Sequence, residues 1–458
     1  MSNVRNKLVH GTFFHAPHRG EIEILEGALV SIDADGAIDA VLRPADLDYE
    51  ASKTAAGRAG TLVTLAPGCF ALPGLVDLHI HAPQYPQLGT ALHVPLEVWL
   101  HQHTFPLEAR YSDVAFAKRA YAALVSDLLA LGTTTAVLFA TIHDEATRIL
   151  VDTCLECGLR ALIGKVAMDN PESCPDYYRD ASAAVALEGT RALIDYVRAH
   201  PANDGKFVLP AITPRFIPAC TDALLRDLGE LASECGCHVQ THCSESDWEH
   251  GYVLNRQGVT DTVALDSFKL LTRHTVLAHS NFVSGPDMEL IARRGSGVAH
   301  CPLSNTYFSN AAFPLRQALA KGVRVGLGTD ISGGPSASLL ENCRMAVTAS
   351  RMLEDGVDPE VPPERRGRRD ARVDWKTGFH LATAGGADVL DLPVGSFAPG
   401  RQFDAIVVDT GAPLGTIRIF DDIDDPERVL QKIIYSASRA SIRDVWVAGR
   451  RVAGAAEA

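Results

Sequence analysis

Hydrophobic and polar positions follow two different rhythms along the chain. From about residue 7 to residue 69, short apolar runs are broken by Gly, Asp and Pro turns. Within that stretch, residues 22–26 and 28–36 are expected as successive strands of a small β domain. From Leu75 onwards, apolar runs alternate with long amphipathic segments. Strands are predicted over residues 75–79, 133–140, 161–167, 207–212, 238–242, 275–279, 297–300 and 323–328. Helical spacing lies between them, for example over 115–131, 183–200, 222–236 and 286–294. Eight β-then-α units over roughly 260 residues predict a closed parallel (β/α)₈ barrel. Past Leu390 the short-strand rhythm returns, with strands expected over 403–409 and 445–452 and a helix over 426–432. The predicted fold class is therefore α/β: a TIM-type barrel over 71–390, with a small β-sandwich domain assembled from residues 1–70 and 391–458.

Composition narrows the function classes. The 458 residues are 47% hydrophobic and 21% charged, ordinary values for a globular enzyme. A formal net charge of -14 argues against general affinity for nucleic acid or for anionic membranes. One basic run, residues 364–372, lies among prolines and acids and is read as a solvated loop. The N-terminal residues carry no secretory pattern, and no apolar run reaches the roughly 18 residues of a membrane span. Ten cysteines without a disulfide-like framework fit a reducing cytoplasm. The close pairs Cys154/Cys157 and Cys235/Cys237 are expected to be buried structural thiols.

Several predicted barrel strands end abruptly on an ionisable residue. Side chains two apart in a strand share a face, so His79 and His81 project together from the first. His242, His279 and Asp330 end later strands, and Glu245 follows His242 by three residues. One buried histidine alone is more often a satisfied core residue than a ligand. Five ionisable residues at the rim where such barrels place their chemistry reverse that reading. Imidazoles with a carboxylate can hold Zn²⁺ and leave a position for water, whose pKa then falls from about 15.7 towards about 7. Asp330 could take the water proton, and Glu245 is placed to protonate a substrate.

The order H-x-H, His, His, Asp resembles the amidohydrolase superfamily, and the likeness covers essentially the whole chain. The resemblance implies metal ligands at His79, His81, His242 and Asp330, with His279 contacting the attacking water or the substrate. The fourth strand, ending at Thr213-Pro-Arg215, lacks the lysine of two-metal members, so a single metal is implied. Zinc is expected, and iron suits the same donors. Further motifs are His81-Ala-Pro-Gln84, Thr104-Phe-Pro-Leu-Glu108, Thr213-Pro-Arg-Phe216, Cys301-Pro-Leu-Ser-Asn305 and Gly328-Thr-Asp-Ile-Ser-Gly-Gly334. These are similar to the guanine-deaminating branch of that superfamily. That likeness implies purine contacts from Gln84, Arg215 and Phe216 beside His242, Glu245 and Asp330, with catalytic roles for Glu245, Asp330 and His279. It also implies a homodimer and the hydrolysis of guanine to xanthine and ammonia.

The alternatives are another aminopurine such as 8-oxoguanine, a pyrimidine or a triazine, or a non-catalytic scaffold. The scaffold is disfavoured because every ligand and Glu245 is present. His143-Asp-Glu145 with Cys154 and Cys157 superficially matches the zinc site of cytidine-type deaminases. The missing proline and the short gap exclude it. Two departures from the branch pattern are Pro83 before Gln84, and Asp391 where glycine is usual.

Overall fold

Residues from both ends of the chain pair into one eight-stranded sheet. In the computed structural model, which describes residues 3–309 and 311–454, this sheet contains β1 (Lys7–His15), β2 (Glu23–Ile32), β3 (Ile38–Leu42), β4 (Leu62–Thr64) and β5 (Cys69–Pro73). Three strands from the far end, β15 (Ala405–Asp409), β16 (Ile442–Val447) and β17 (Arg450–Gly454), complete it. Strand β5 joins the two halves, pairing parallel with β1 and antiparallel with β15. Phe13, Phe397, Phe403 and Trp446 pack together beneath it. The first two residues and the last four, the outer limits of the predicted β domain, lie outside the described residues.

The barrel runs through β6 (Leu75–His81), β7 (Thr133–Phe139), β8 (Arg160–Gly164), β10 (Val208–Pro214), β11 (His238–Cys243), β12 (Thr275–His279), β13 (Gly297–His300) and β14 (Arg324–Leu327). A two-residue extension, β9 (Val166–Ala167), also pairs with β10. All neighbours are parallel. Strand β6 is buried along its whole length, as expected of a parallel strand covered on both faces. Barrel closure falls between β14 and β6, where Asp330 N–H donates to the His79 carbonyl at 2.8 Å and His81 N–H to that of Ile331 at 2.8 Å.

Close approach at this seam requires glycine. A Cβ on Gly326 would lie 2.5 Å from Leu78 Cδ1 and 2.8 Å from the Gly386 Cα, a backbone atom that cannot step aside. Gly326→Ala is therefore expected to lower the thermal midpoint, with the roughly 1–3 kcal/mol cost of overpacking. An unchanged midpoint in a thermal melt would show that the seam can open without penalty.

Some local expectations are corrected. The runs 22–26 and 28–36 meet in one strand, β2, which ends at Ile32 before a turn over 33–36: Gly27, at φ 58°, makes a bulge opposite Thr12, and pairing with β1 continues on both sides. A helix over Tyr49–Ala59 was not anticipated; only Tyr49 and Ala56 of it are buried, so it carries almost no apolar stripe. The run 445–452 is the turn of a hairpin, because Ala448 and Gly449 both adopt positive φ (45° and 69°). The run 161–167 is split at Lys165, and the last helix continues to Ser436. All ten cysteines are free; Cys154 and Cys237 are buried, while Cys157 and Cys235 are only half-buried. Asp391 adopts φ 57°, which explains why glycine is usual there and why Asp, tolerant of this region, can replace it. The basic run is exposed and engages nearby acids, Arg372 pairing with Asp355.

Candidate active site

Among the described residues, four of the eleven non-glycine positions with positive φ sit at the C-terminal rim of the barrel: Ser244, His279, Ser280 and Asp330. Such backbone strain persists only where surrounding contacts impose it, and it concentrates at functional sites. Here it turns the chain sharply at the strand ends, and the His279 and Asp330 side chains meet across the barrel mouth.

The rim brings His79, His81, His242, His279, Asp330 and Glu245 together. The His79 Nε2 atom lies 3.3 Å from Asp330 Oδ1, and His81 Nε2 lies 3.6 Å from the same oxygen. On the other side, His279 Nε2 is 3.6 Å from Glu245 Oε1 and 3.9 Å from Asp330 Oδ2. Neither His79 Nε2 nor His279 Nε2 has a hydrogen-bond partner, although both are buried. His81 Nε2 and His242 Nε2 face each other at 3.0 Å.

Hydrogen bonds behind the rings fix which nitrogens point inward. His242 Nδ1 lies 2.6 Å from the Arg215 carbonyl, which can only accept, so Nδ1 carries the proton and Nε2 presents its lone pair. His279 Nδ1 likewise faces Asn305 Oδ1 at 2.9 Å. Asn305 donates to Asn281 Oδ1 (2.7 Å), and Asn281 donates to the Glu245 carbonyl (2.9 Å). His279 and Glu245 are thus tied through two amides. Burial, followed by the neighbouring imidazoles, holds His79, His81 and His242 well below the ordinary histidine range. Neutral, buried, lone-pair-inward imidazoles beside a carboxylate fit a divalent metal better than any mutual hydrogen bonding. Potential ligand atoms of His79, His81 and Asp330, and of His79, His242 and His279, lie within 4.8 Å of one another.

Burial, and then the charge of Asp330, pushes the Glu245 carboxyl well above its usual range. The Glu245 backbone N–H donates to Glu249 Oε2 at 2.7 Å, which fixes the loop that carries it. Asp77, in the middle of β6, accepts from Thr329 Oγ1 (2.5 Å) and Thr329 N (3.0 Å), locking Asp330 to the first strand.

Above this floor lies a cleft. His81, His242, Glu245 and Asp330 form its floor; Gln84, Arg215 and Phe216 stand in its wall, where they were anticipated. Pro83 leaves Gln84 in place: its amide oxygen accepts from Ser332 N–H at 3.2 Å. Four apolar lining residues, Leu96, Trp99, Leu100 and Phe308, were not anticipated. Trp99 and Phe308 meet with ring centroids 5.1 Å apart, closing the cleft from two distant segments. Sequence reading also gave no role to Glu108, although it fell within a quoted motif. Its carboxylate binds Arg215 through both oxygens (2.6 and 3.1 Å) and accepts from Gln84 Nε2 (2.8 Å).

The amidohydrolase family model matches residues 70–452. A probable guanine deaminase of Schizosaccharomyces pombe is 37% identical over 453 residues, covering 97% of this chain and 83% of that protein. The human guanine deaminase is 33% identical over 452 residues, covering 97% and 96%. Among solved structures, a guanine deaminase from C. acetobutylicum with guanine bound in its active site superposes with a TM-score of 0.85, at 29% identity and 97% and 99% coverage. Eight parallel strands with ionisable residues at one rim, a family match over most of the chain and relatives alike over nearly its whole length place this protein in the amidohydrolase family, alongside the guanine deaminases.

Proposed function

We propose that the protein hydrolyses guanine to xanthine and ammonia. One observation carries the reading: a cluster of imidazoles and carboxylates forms the floor of a cleft whose wall presents Gln84, Arg215 and Phe216. Relatives that are guanine deaminases over almost all of this chain support the substrate.

His79, His81, His242 and Asp330 would hold a single Zn²⁺, the ion that suits three imidazoles and one carboxylate; iron shares those preferences. When bound, the metal acidifies water and polarises what it touches. The chain's own groups do the rest. Phe216 offers an apolar face to the ring, and it packs 5.9 Å from both the His242 and Trp248 rings. Arg215, cationic at any working pH, donates to O6 and draws electron density from C2. Gln84 meets the mixed donor and acceptor edge of the ring.

Asp330 accepts a proton from the attacking water as the C2–O bond forms. Glu245, held protonated by its surroundings, gives its proton to the adjacent ring nitrogen. His279, whose Nδ1 proton is committed to Asn305, accepts at Nε2 a hydrogen bond from the hydroxyl that forms on the tetrahedral carbon. The proton taken from water then reaches the exocyclic amine, the C2–N bond breaks as the C2=O bond forms, ammonia departs, and the hydroxyl proton returns to Glu245. Exclusion of water by Trp99 and Phe308 strengthens each of these electrostatic contributions.

Residues 71–390 are proposed as the catalytic unit and the end-to-end sheet as its support. The ten free cysteines support a reducing, cytoplasmic setting. No described helix is long and apolar enough to cross a membrane. Sedimentation will test the homodimer that the resemblance implies. The function itself is tested by turnover across guanine, 8-oxoguanine, cytosine and an aminotriazine, alongside metal quantitation. Guanine is expected to lead with about one equivalent of metal bound. Preference for any other member of the panel would sink the assignment, and less than about half an equivalent would favour the scaffold reading.

A further inference from the structure

We infer that Glu108 is the positioning residue that makes this cleft selective for a 6-oxo ring. The inference rests on the purine reading above and concerns how that reading is enforced. Glu108 does not wall the cleft; it stands behind the two groups that do, with 1% of its surface exposed. Its Oε2 accepts from Arg215 Nη1 at 2.6 Å, and its Oε1 accepts from Arg215 Nη2 at 3.1 Å and from Gln84 Nε2 at 2.8 Å. One carboxylate therefore binds a guanidinium bidentately and an amide at the same time.

Three consequences follow from that geometry. First, the Gln84 amide cannot flip. Its nitrogen is committed to Glu108 and its oxygen to Ser332 N–H (3.2 Å), so each end shows the ring a fixed polarity. A glutamine free to rotate would accept either edge. Second, Arg215 is held in one rotamer. The Phe105 ring, 5.0 Å from its guanidinium carbon, supports it, and only the N–H groups not taken by Glu108 remain for a ligand oxygen. Third, the buried guanidinium is neutralised. A lone cation beside a metal site in a low-dielectric cleft would carry an uncompensated desolvation cost. Paired, it can present a directed donor to a neutral carbonyl. Nothing else within the described hydrogen bonds performs any of these three tasks for Gln84 and Arg215 together.

The test compares two ligands that cannot be deaminated: hypoxanthine, which has the 6-oxo group but no 2-amine, and purine, which has neither. Dissociation constants are measured by calorimetry on metal-loaded wild type, Glu108→Gln and Glu108→Asp. Glu108→Gln keeps the volume but puts an amide N–H₂ against donors. It should weaken hypoxanthine by roughly 10- to 100-fold while changing purine by less than about threefold, with metal content unchanged. Glu108→Asp, which keeps the charge and withdraws it by one methylene, should fall between. Equal weakening of both ligands would make Glu108 a packing residue, and no weakening would leave it without a role; either overturns the inference. Loss of folded protein in both variants would overturn it too, in favour of a folding role. If the wild type itself binds neither ligand, the purine reading fails, an outcome separate from any difference between variants.

Discussion

Glu245→Gln will keep its metal and lose guanine turnover by at least about 100-fold, within the range expected for removing a general acid. The amide is the same size and still fits beside His279, whose Nε2 lies 3.6 Å from the carboxyl oxygen. It cannot release a proton to a ring nitrogen. Glu245 is a strong candidate because its surroundings keep the acid form available. Burial, reinforced by Asp330, raises its carboxyl well above the ordinary range. A 100-fold loss is about 2.7 kcal/mol of transition-state stabilisation. The check is steady-state kinetics with metal analysis on the same preparation. Turnover within a few-fold of wild type would remove the assigned role, whereas loss of metal would make Glu245 a ligand or its support.

Removal of the metal should abolish turnover, lower the thermal midpoint, and make the folded state sensitive to acid. His81 Nε2 and His242 Nε2 stand 3.0 Å apart, and the proton of His242 is committed to the Arg215 carbonyl on the far side of the ring. Without a cation, the His242 Nε2 lone pair meets only His81 Nε2, and His79 and His279 Nε2 stay buried with no hydrogen-bond partner. The direction of the acid effect follows from protonation. Burial holds His79, His81 and His242 well below the usual histidine value when folded, while the unfolded chain titrates near about 6.5. The unfolded state thus binds more protons below about pH 6.5. Stability is retained above that pH and lost beneath it, at about 1.4 kcal/mol per pH unit for each histidine that takes up a proton. Thermal melts of chelator-treated protein between about pH 5 and 8, with zinc added back in parallel, measure this. A midpoint indifferent to chelation, or one that rises as pH falls, would contradict the metal assignment.

The parts of the site that sequence made legible share one property. His79, His81, His242, His279 and Asp330 each end an apolar strand, so an unusual residue type coincides with a clear periodic signal. Strand ends at one rim converge whatever the loops do. Glu108 has no such signal. It sits on the short helix Phe105–Ala109, in a run of single turns without sustained periodicity, and its meaning comes from Arg215, 107 residues away. Trp99 and Phe308 were hidden for the same reason, since they meet only once the barrel has formed. The helix Tyr49–Ala59 escaped for the opposite cause: its position leaves it too polar to carry an amphipathic pattern. The Ala448–Gly449 turn was disguised by an alanine doing what asparagine or glycine usually does.

Strand β5 ends at Pro73 and β6 begins at Leu75, so one residue, Gly74, separates the end-to-end sheet from the strand bearing the first two imidazoles. There is no slack on either side: β5 is pinned by β1 and β15, and Gly74 N–H itself donates to the Asp404 carbonyl at 2.9 Å. A strand advances about 3.3 Å per residue, whereas metal–ligand distances hold to a few tenths of an ångström. Losing or gaining a single residue between about 69 and 81 would therefore carry His79 and His81 past any position from which they could share an ion with His242. Natural variation in chain length must be absorbed elsewhere, in surface stretches such as 356–372, and any shuffling of modules between relatives has to cut outside this dozen residues.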